Sequence, residues 1–277
     1  MTEKLPPEDY AEPRCPLDVS RYSEKRRITQ IPVGRVIEKY DEHIGNRDTD
    51  AAERHLLYWL AEAEEGGDTH GRLTIINELM GFYRNTDRRD PAYKYADAGL
   101  EAIEAGGYDG KIIAATTYIN AATVYKTFGE AVLAYPLYCR ARDIYEAKLP
   151  PDDERLGGLY NNMALALSDL EMYGEAKELF RHAIMIMTET ERGGIDAAIS
   201  YLNMANAAEA ELGLENAADE IEECLACAEA LLEAASGRRD KYYAYVCGRC
   251  SPGFRYYGYF AYADELSARS ESIYAGT

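Results

Sequence analysis

The chain has 277 residues, 47% of them hydrophobic, and a formal net charge of −19 at pH 7. The length exceeds what one compact core holds comfortably, so two domains or one repeat array is implied. An acidic body repels phosphate backbones and anionic lipid, which argues against nucleic acid and membrane surfaces as partners; no stretch approaches the ~20 apolar residues of a membrane span.

Residues 1–30 carry Pro6, Pro7, Pro13 and Pro16 and show no apolar periodicity. They read as an extended or disordered arm. They lack an apolar core of the secretory type, so the expected address is cytoplasmic. This arm holds six acids and six bases, so the acid excess lies in residues 31–277. From there on apolar residues recur at three- and four-residue steps, which predicts helices throughout. No segment alternates with period two, so no sheet is expected. The helices fall into six hairpins, near residues 33–66, 68–106, 111–149, 154–190, 194–235 and 238–275. The clearest is Leu159–Ile186, broken at Met172-Tyr173-Gly174. The first two are weaker, and the last is degenerate.

Aligned, the hairpins share columns. A small second-helix position runs Ala52, Ala92, Ala134, Ala176, Ala217 and then Tyr259. A first-helix column reads Tyr40, Met80, Ala122, Ala164, Ala205, Cys247. Three residues on lie His43, Tyr83, Tyr125, Leu167, Ala208, Cys250. A late second-helix column reads Trp59, Gly99, Ala141, Ala183, Cys224, Leu266, and an aromatic column reads Tyr118, Tyr160, Tyr201, Tyr243. Small residues let helices approach, and neighbouring large ones fill the gap. A lone hairpin cannot bury its apolar face, so the hairpins must stack.

This small–large pattern over residues 31–275 resembles the tetratricopeptide-repeat (TPR) family. The period of about 42 residues and the string Leu-Tyr-Asn-Asn-Met-Ala-Leu-Ala-Leu resemble the longer repeats of the kinesin-light-chain type. The resemblance implies an all-α solenoid, a right-handed superhelix of about six repeats whose first helices line a concave groove. It also implies that asparagines on the first helices clamp the backbone of a bound peptide.

Here an asparagine column occupies that place: Asn120, Asn162 and Asn203, with Asn77 and Asn161 one residue earlier in their repeats. An amide offers donor and acceptor together, as an extended peptide backbone requires. The alternative is that these amides bridge adjacent helices and touch no ligand. Asn206 flanks the column, and Arg84 and Lys126 are the nearest first-helix bases. The residues one turn away, Thr116, Gly158 and Ile199 on one side and Thr123, Leu165 and Asn206 on the other, include no base, which argues against a carboxylate clamp.

Cys224, Cys227, Cys247 and Cys250 have the spacing C-x2-C-x19-C-x2-C of a four-thiolate zinc site. Three of the four fall in core columns, however, and free cysteine is a small buried apolar residue. Reduced, metal-free thiols are therefore expected, with zinc as the weaker alternative. No Gly-rich phosphate loop, HExxH or nucleophile elbow occurs, and the four histidines are scattered, so no catalysis and no cofactor is expected. The C-terminal unit crowds tyrosines where a polar cap belongs. Tyr256, Tyr257 and Phe260 are the candidates for a protein interface there, including a homodimer. The expected function is a non-catalytic protein- or peptide-binding scaffold. The alternatives are a regulatory receptor for a short signalling peptide and a structural subunit that uses its ends and convex face.

Overall fold

The computed structural model describes residues 29–189 and 194–276, and every regular element among them is an α-helix. In chain order these are α1 (Val33–Gly45), α2 (Thr49–Gly66), α3 (Thr69–Asn85), α4 (Arg89–Ala105), α5 (Ile112–Thr127), α6 (Ala131–Lys148), α7 (Glu154–Asp169), α8 (Tyr173–Glu189), α9 (Gly194–Leu212), α10 (Ala218–Ala234), α11 (Lys241–Tyr256) and α12 (Phe260–Ala275). They form a TPR-like α-solenoid of helical hairpins. No described helix is long and apolar enough to cross a membrane. By its contacts the chain divides into two compact units, residues 1–72 and 73–277, with the division inside α3.

In the first unit, α1 buries Val36 and Tyr40, and α2 buries Ala52, Leu56 and Ala63. Asp48 starts α2 by accepting from Ala51 N at 2.9 Å, which satisfies one of the free amides of the first turn. Asp68 does more. Its buried carboxylate accepts from Gly71 N at 2.9 Å and, across 37 residues, from Ile31 N at 3.0 Å. Thr29 N adds a bond to Gly66 O at 3.0 Å. Of the expected extended or disordered arm over residues 1–30, residues 1–28 lie outside the described residues, and Thr29 is held by this bond.

In the second unit α4 packs on α5, α6 on α7 and α8 on α9, and the first helices α5, α7, α9 and α11 also meet in succession. The small columns make this possible. Ala92, Ala134, Ala176 and Ala217 are buried, as are Met80, Ala122, Ala164, Ala205 and Cys247. At Gly99 a Cβ would lie 3.0 Å from Thr117 Cγ2 and 3.2 Å from Met80 Cε, so any side chain there would push these neighbours aside by a few tenths of an ångström. Within hairpins the turn needs one left-handed residue. Gly129, Gly213 and Gly258 fill that place, with φ of 86°, 78° and 90°. Asp87 and Glu171 fill it elsewhere at φ of 55° and 61°.

The last hairpin departs from the expected columns. α11 continues nine residues beyond Cys247, to Tyr256, whereas α7 ends five residues beyond Ala164. The extra helical turn buries Phe254 and displaces the chain reversal to Gly258. Tyr259 therefore does not occupy the small column. It sits exposed just ahead of α12, and Ala263 takes the buried place against Ser251, whose hydroxyl donates to Ala263 O at 2.8 Å. His43 also departs: it is half-buried rather than in the core, with its ring 5.7 Å from His55.

Candidate functional site

The asparagine column lies on the first helices α3, α5, α7 and α9. Asn77 is buried and has its amide engaged three times. Nδ2 donates to Leu73 O at 2.9 Å and to Thr117 Oγ1 at 3.0 Å, and Oδ1 accepts from Asn120 Nδ2 at 2.8 Å. One repeat pair further on the arrangement recurs. Asn161 Oδ1 accepts from Ser200 Oγ at 3.0 Å and from Asn203 Nδ2 at 3.2 Å. Two pairs of first helices, α3 with α5 and α7 with α9, are thus joined by amide bridges. A half-buried amide is costly unless paired, and Asn77, Asn120, Asn161 and Asn203 are paired in this way across adjacent first helices. Each of Asn120 and Asn203 retains its Oδ1, which accepts no hydrogen bond from a described residue.

Between α5 and α7 the bridge is missing. Ile119 stands where Asn77 and Asn161 stand in their repeats. Asn162 is half-buried and makes no hydrogen bond with any described residue. One turn earlier lies Gly158, where a Cβ would meet no atom within 4 Å, so the space beside Asn162 is open. Around this notch the face carries the Oδ1 atoms of Asn120 and Asn203 and the partly exposed apolar residues Leu165 and Ile199.

The flanking candidates are committed to neighbours. Lys126 pairs with Asp169 across α5 and α7 at 3.4 Å. Arg84 reaches Asn85 Oδ1 at 3.3 Å. Asn206 accepts from Tyr257 OH at 2.9 Å. Tyr257 also donates to Glu209 at 3.0 Å, and Tyr256 donates to the same carboxylate at 2.8 Å. These two tyrosines therefore hold α11 against α9, and the tyrosine hydroxyls are pushed up, most for Tyr257, where burial is the leading cause. Phe260, at 60% exposure, remains the one large apolar ring of the three without a polar tie. Asn206, Glu209, Pro252 and Tyr256 line one opening of about 640 Å³. The groove candidate Asn206 and the interface candidate Tyr256, separate in sequence, are thus parts of one surface.

The clustered cysteines behave as core. Cys224, Cys247 and Cys250 are buried and Cys227 is half-buried, all with free thiols. Burial pushes the thiols of Cys224 and Cys250 up to about 12, as for thiols packed in a core. No group of three or more His, Cys, Asp or Glu among the described residues is arranged to hold a metal ion. His182 meets Tyr160 edge-on at 6.1 Å, and His55 Nε2 donates to Val36 O at 2.9 Å.

Stacked helical hairpins with small columns between them and left-handed turns define a repeat protein of the TPR type. The structure is similar to that of BtubC (BKLC) from P. vanneervenii, with a TM-score of 0.64 and 20% identity over 74% of this chain and 83% of that one. It is also similar to the nearly identical TPR-like repeats of a protein described as a kinesin light chain from Podosopora anserina, with a TM-score of 0.52 and 16% identity over 74% and 96% of the two chains. No family model matches the sequence, and no curated protein matches it. At these identities the likeness establishes the fold.

Proposed function

We propose that the chain is a non-catalytic scaffold that binds an extended protein or peptide segment along the first helices α5, α7 and α9. The observation that carries this reading is Asn162. It is a half-buried amide with no hydrogen-bond partner among the described residues, beside an open notch at Gly158, between the spare carbonyls of Asn120 and Asn203. A polar group so placed gains from a ligand that supplies both a donor and an acceptor, and a peptide unit does. The partly apolar flanks, Leu165 and Ile199, suit a side chain on either side of that unit. Burial pushes the thiols of Cys224 and Cys250 up to about 12, which favours packing over chemistry at these two residues.

The test uses peptides selected from a random library against the full chain. Asn162→Ala should weaken a selected peptide about 2–12-fold, which corresponds to ~0.5–1.5 kcal/mol for one net hydrogen bond. The melting temperature should stay or rise slightly, since alanine is the better helix residue. Unchanged affinity in a variant of native stability would refute the reading.

A further inference from the structure

On another side of the same repeats lies a cavity of about 280 Å³ between α6, α7 and α8. Leu149, Leu156 and Ile186 wall it, and Met185, with 56% of its surface exposed, lines its opening. Glu146, Tyr160 and His182 form its polar side. Tyr160 stands two residues from Asn162, about 200° around α7, so this cavity and the amide face point in different directions.

The polar side is held in place. Tyr160 donates to Glu146 Oε1 at 2.9 Å, and Arg142 Nε approaches the same oxygen at 3.8 Å. Burial, and after it the bond to Glu146, pushes the Tyr160 hydroxyl up to about 12, so it remains a donor at neutral pH. Both contacts fall on Oε1. Oε2 accepts no hydrogen bond from any described residue. The Glu146 side chain is 48% exposed, so Oε2 faces solvent at the mouth of the cavity, where a charged donor on an apolar stem can replace water while its stem lies against the apolar walls.

We infer that the cavity between α6, α7 and α8 binds a small organic cation, a primary ammonium carried on an aromatic or branched aliphatic body. The body lies among Leu149, Leu156 and Ile186, and the ammonium donates to Glu146 Oε2 beside the Tyr160 ring, whose face also favours a cation. A ligand carboxylate would be repelled by Glu146, and a neutral ligand would forgo the charge-assisted bond. The volume lies at the low end for small-molecule sites, which selects a single ring with a short arm.

Three probes of one shape separate the terms: 2-phenylethylammonium, 2-phenylethanol and phenylacetate, titrated into the full chain and followed by calorimetry and protein-observed NMR. The ammonium should bind in the millimolar range typical of so small a fragment, with shifts at Leu156 and Ile186. The alcohol should bind about tenfold more weakly and the carboxylate not measurably. Glu146→Gln, whose amide oxygen can still accept from Tyr160, should reduce the ammonium to the level of the alcohol. Met185→Trp, a change at an exposed position, should block all three. Asn162→Ala should leave the ammonium titration unchanged whether or not the peptide reading stands. Equal binding of the three probes, an unchanged titration in Glu146→Gln, or no saturable ammonium binding in the native chain would each overturn the inference.

Discussion

At the scale of single residues, two adjacent asparagines on α7 have opposite roles. Asn161 accepts from the buried hydroxyl of Ser200 and from Asn203, so Asn161→Ala leaves both without that acceptor. Its cost should be ~1–3 kcal/mol, the range for stranding buried polar partners. Asn162→Ala removes no internal bond and should be neutral or stabilising by a few tenths of a kcal/mol. Urea midpoints of the two variants check this, and equal losses would show that Asn162 has an internal role. Replacing Asn120, Asn162 and Asn203 together would mix the two effects, because two of the three carry bridges. Much of this was legible in the sequence. The strings Thr117-Tyr-Ile-Asn120 and Ser200-Tyr-Leu-Asn203 share a pattern, and each follows a repeat with an asparagine one place earlier in its frame, Asn77 and Asn161. What the alignment alone did not reveal is that the hydroxyl and amide of one string converge on the asparagine of the preceding repeat. That depends on how closely two first helices approach. The anchoring role of Asp68 was hidden for a related reason, since its partner Ile31 lies 37 residues away in a segment without periodicity.

At the scale of elements, turns and caps set where each hairpin reverses. Glu171 adopts φ of 61°, a conformation that costs a residue with a Cβ ~1–2 kcal/mol. Glu171→Gly should relieve that cost, less the larger entropy of glycine in the unfolded chain, for a net gain of up to about 1 kcal/mol. Gly258→Ala should do the reverse and destabilise by ~1 kcal/mol or more, although a Cβ there would meet nothing within 4 Å. Thermal melts of the pair decide between backbone strain and packing. Asp240 caps α11 by accepting from Tyr243 N at 2.9 Å, and its bonds to Arg238 and to that amide lower its carboxyl to about 2. A depressed carboxyl stabilises the fold above its unfolded value, near 3.9, and that contribution is lost as pH falls from there towards 2. Asp240→Asn keeps an N-cap residue and should change neutral stability by only a few tenths of a kcal/mol. Its acid-unfolding curve should be flatter between about pH 4 and 2 than that of the native chain. The helix order and pairing followed from periodicity and the repeat. The length of α11 did not, because a constant period assumes that every first helix ends at the same place, and the extra turn that buries Phe254 breaks this assumption.

At the scale of the whole molecule, residues 73–277 follow the rule of repeat arrays, in which each hairpin is stabilised by its neighbours alone. Among the described helices the hairpin α11–α12 packs on the preceding hairpin alone, so in a chain of these residues its amides should exchange with solvent at a lower opening free energy than those of α7–α8. Uniform protection from α5 to α12 would contradict this. The alternation of amide bridges has a mechanical consequence. α3 with α5 and α7 with α9 are stitched pairwise, whereas the seam between α5 and α7 is spanned on this face by Ile119, an unpartnered Asn162 and the partly exposed pair of Lys126 and Asp169. Drawn out by its ends in an optical trap, this array should not peel hairpin by hairpin at even intervals. It should come apart first at that seam, and each stitched pair should then give way as a block of two hairpins, releasing about 3.6 Å of chain per residue. A thread tied at every second station tears at the stations left untied.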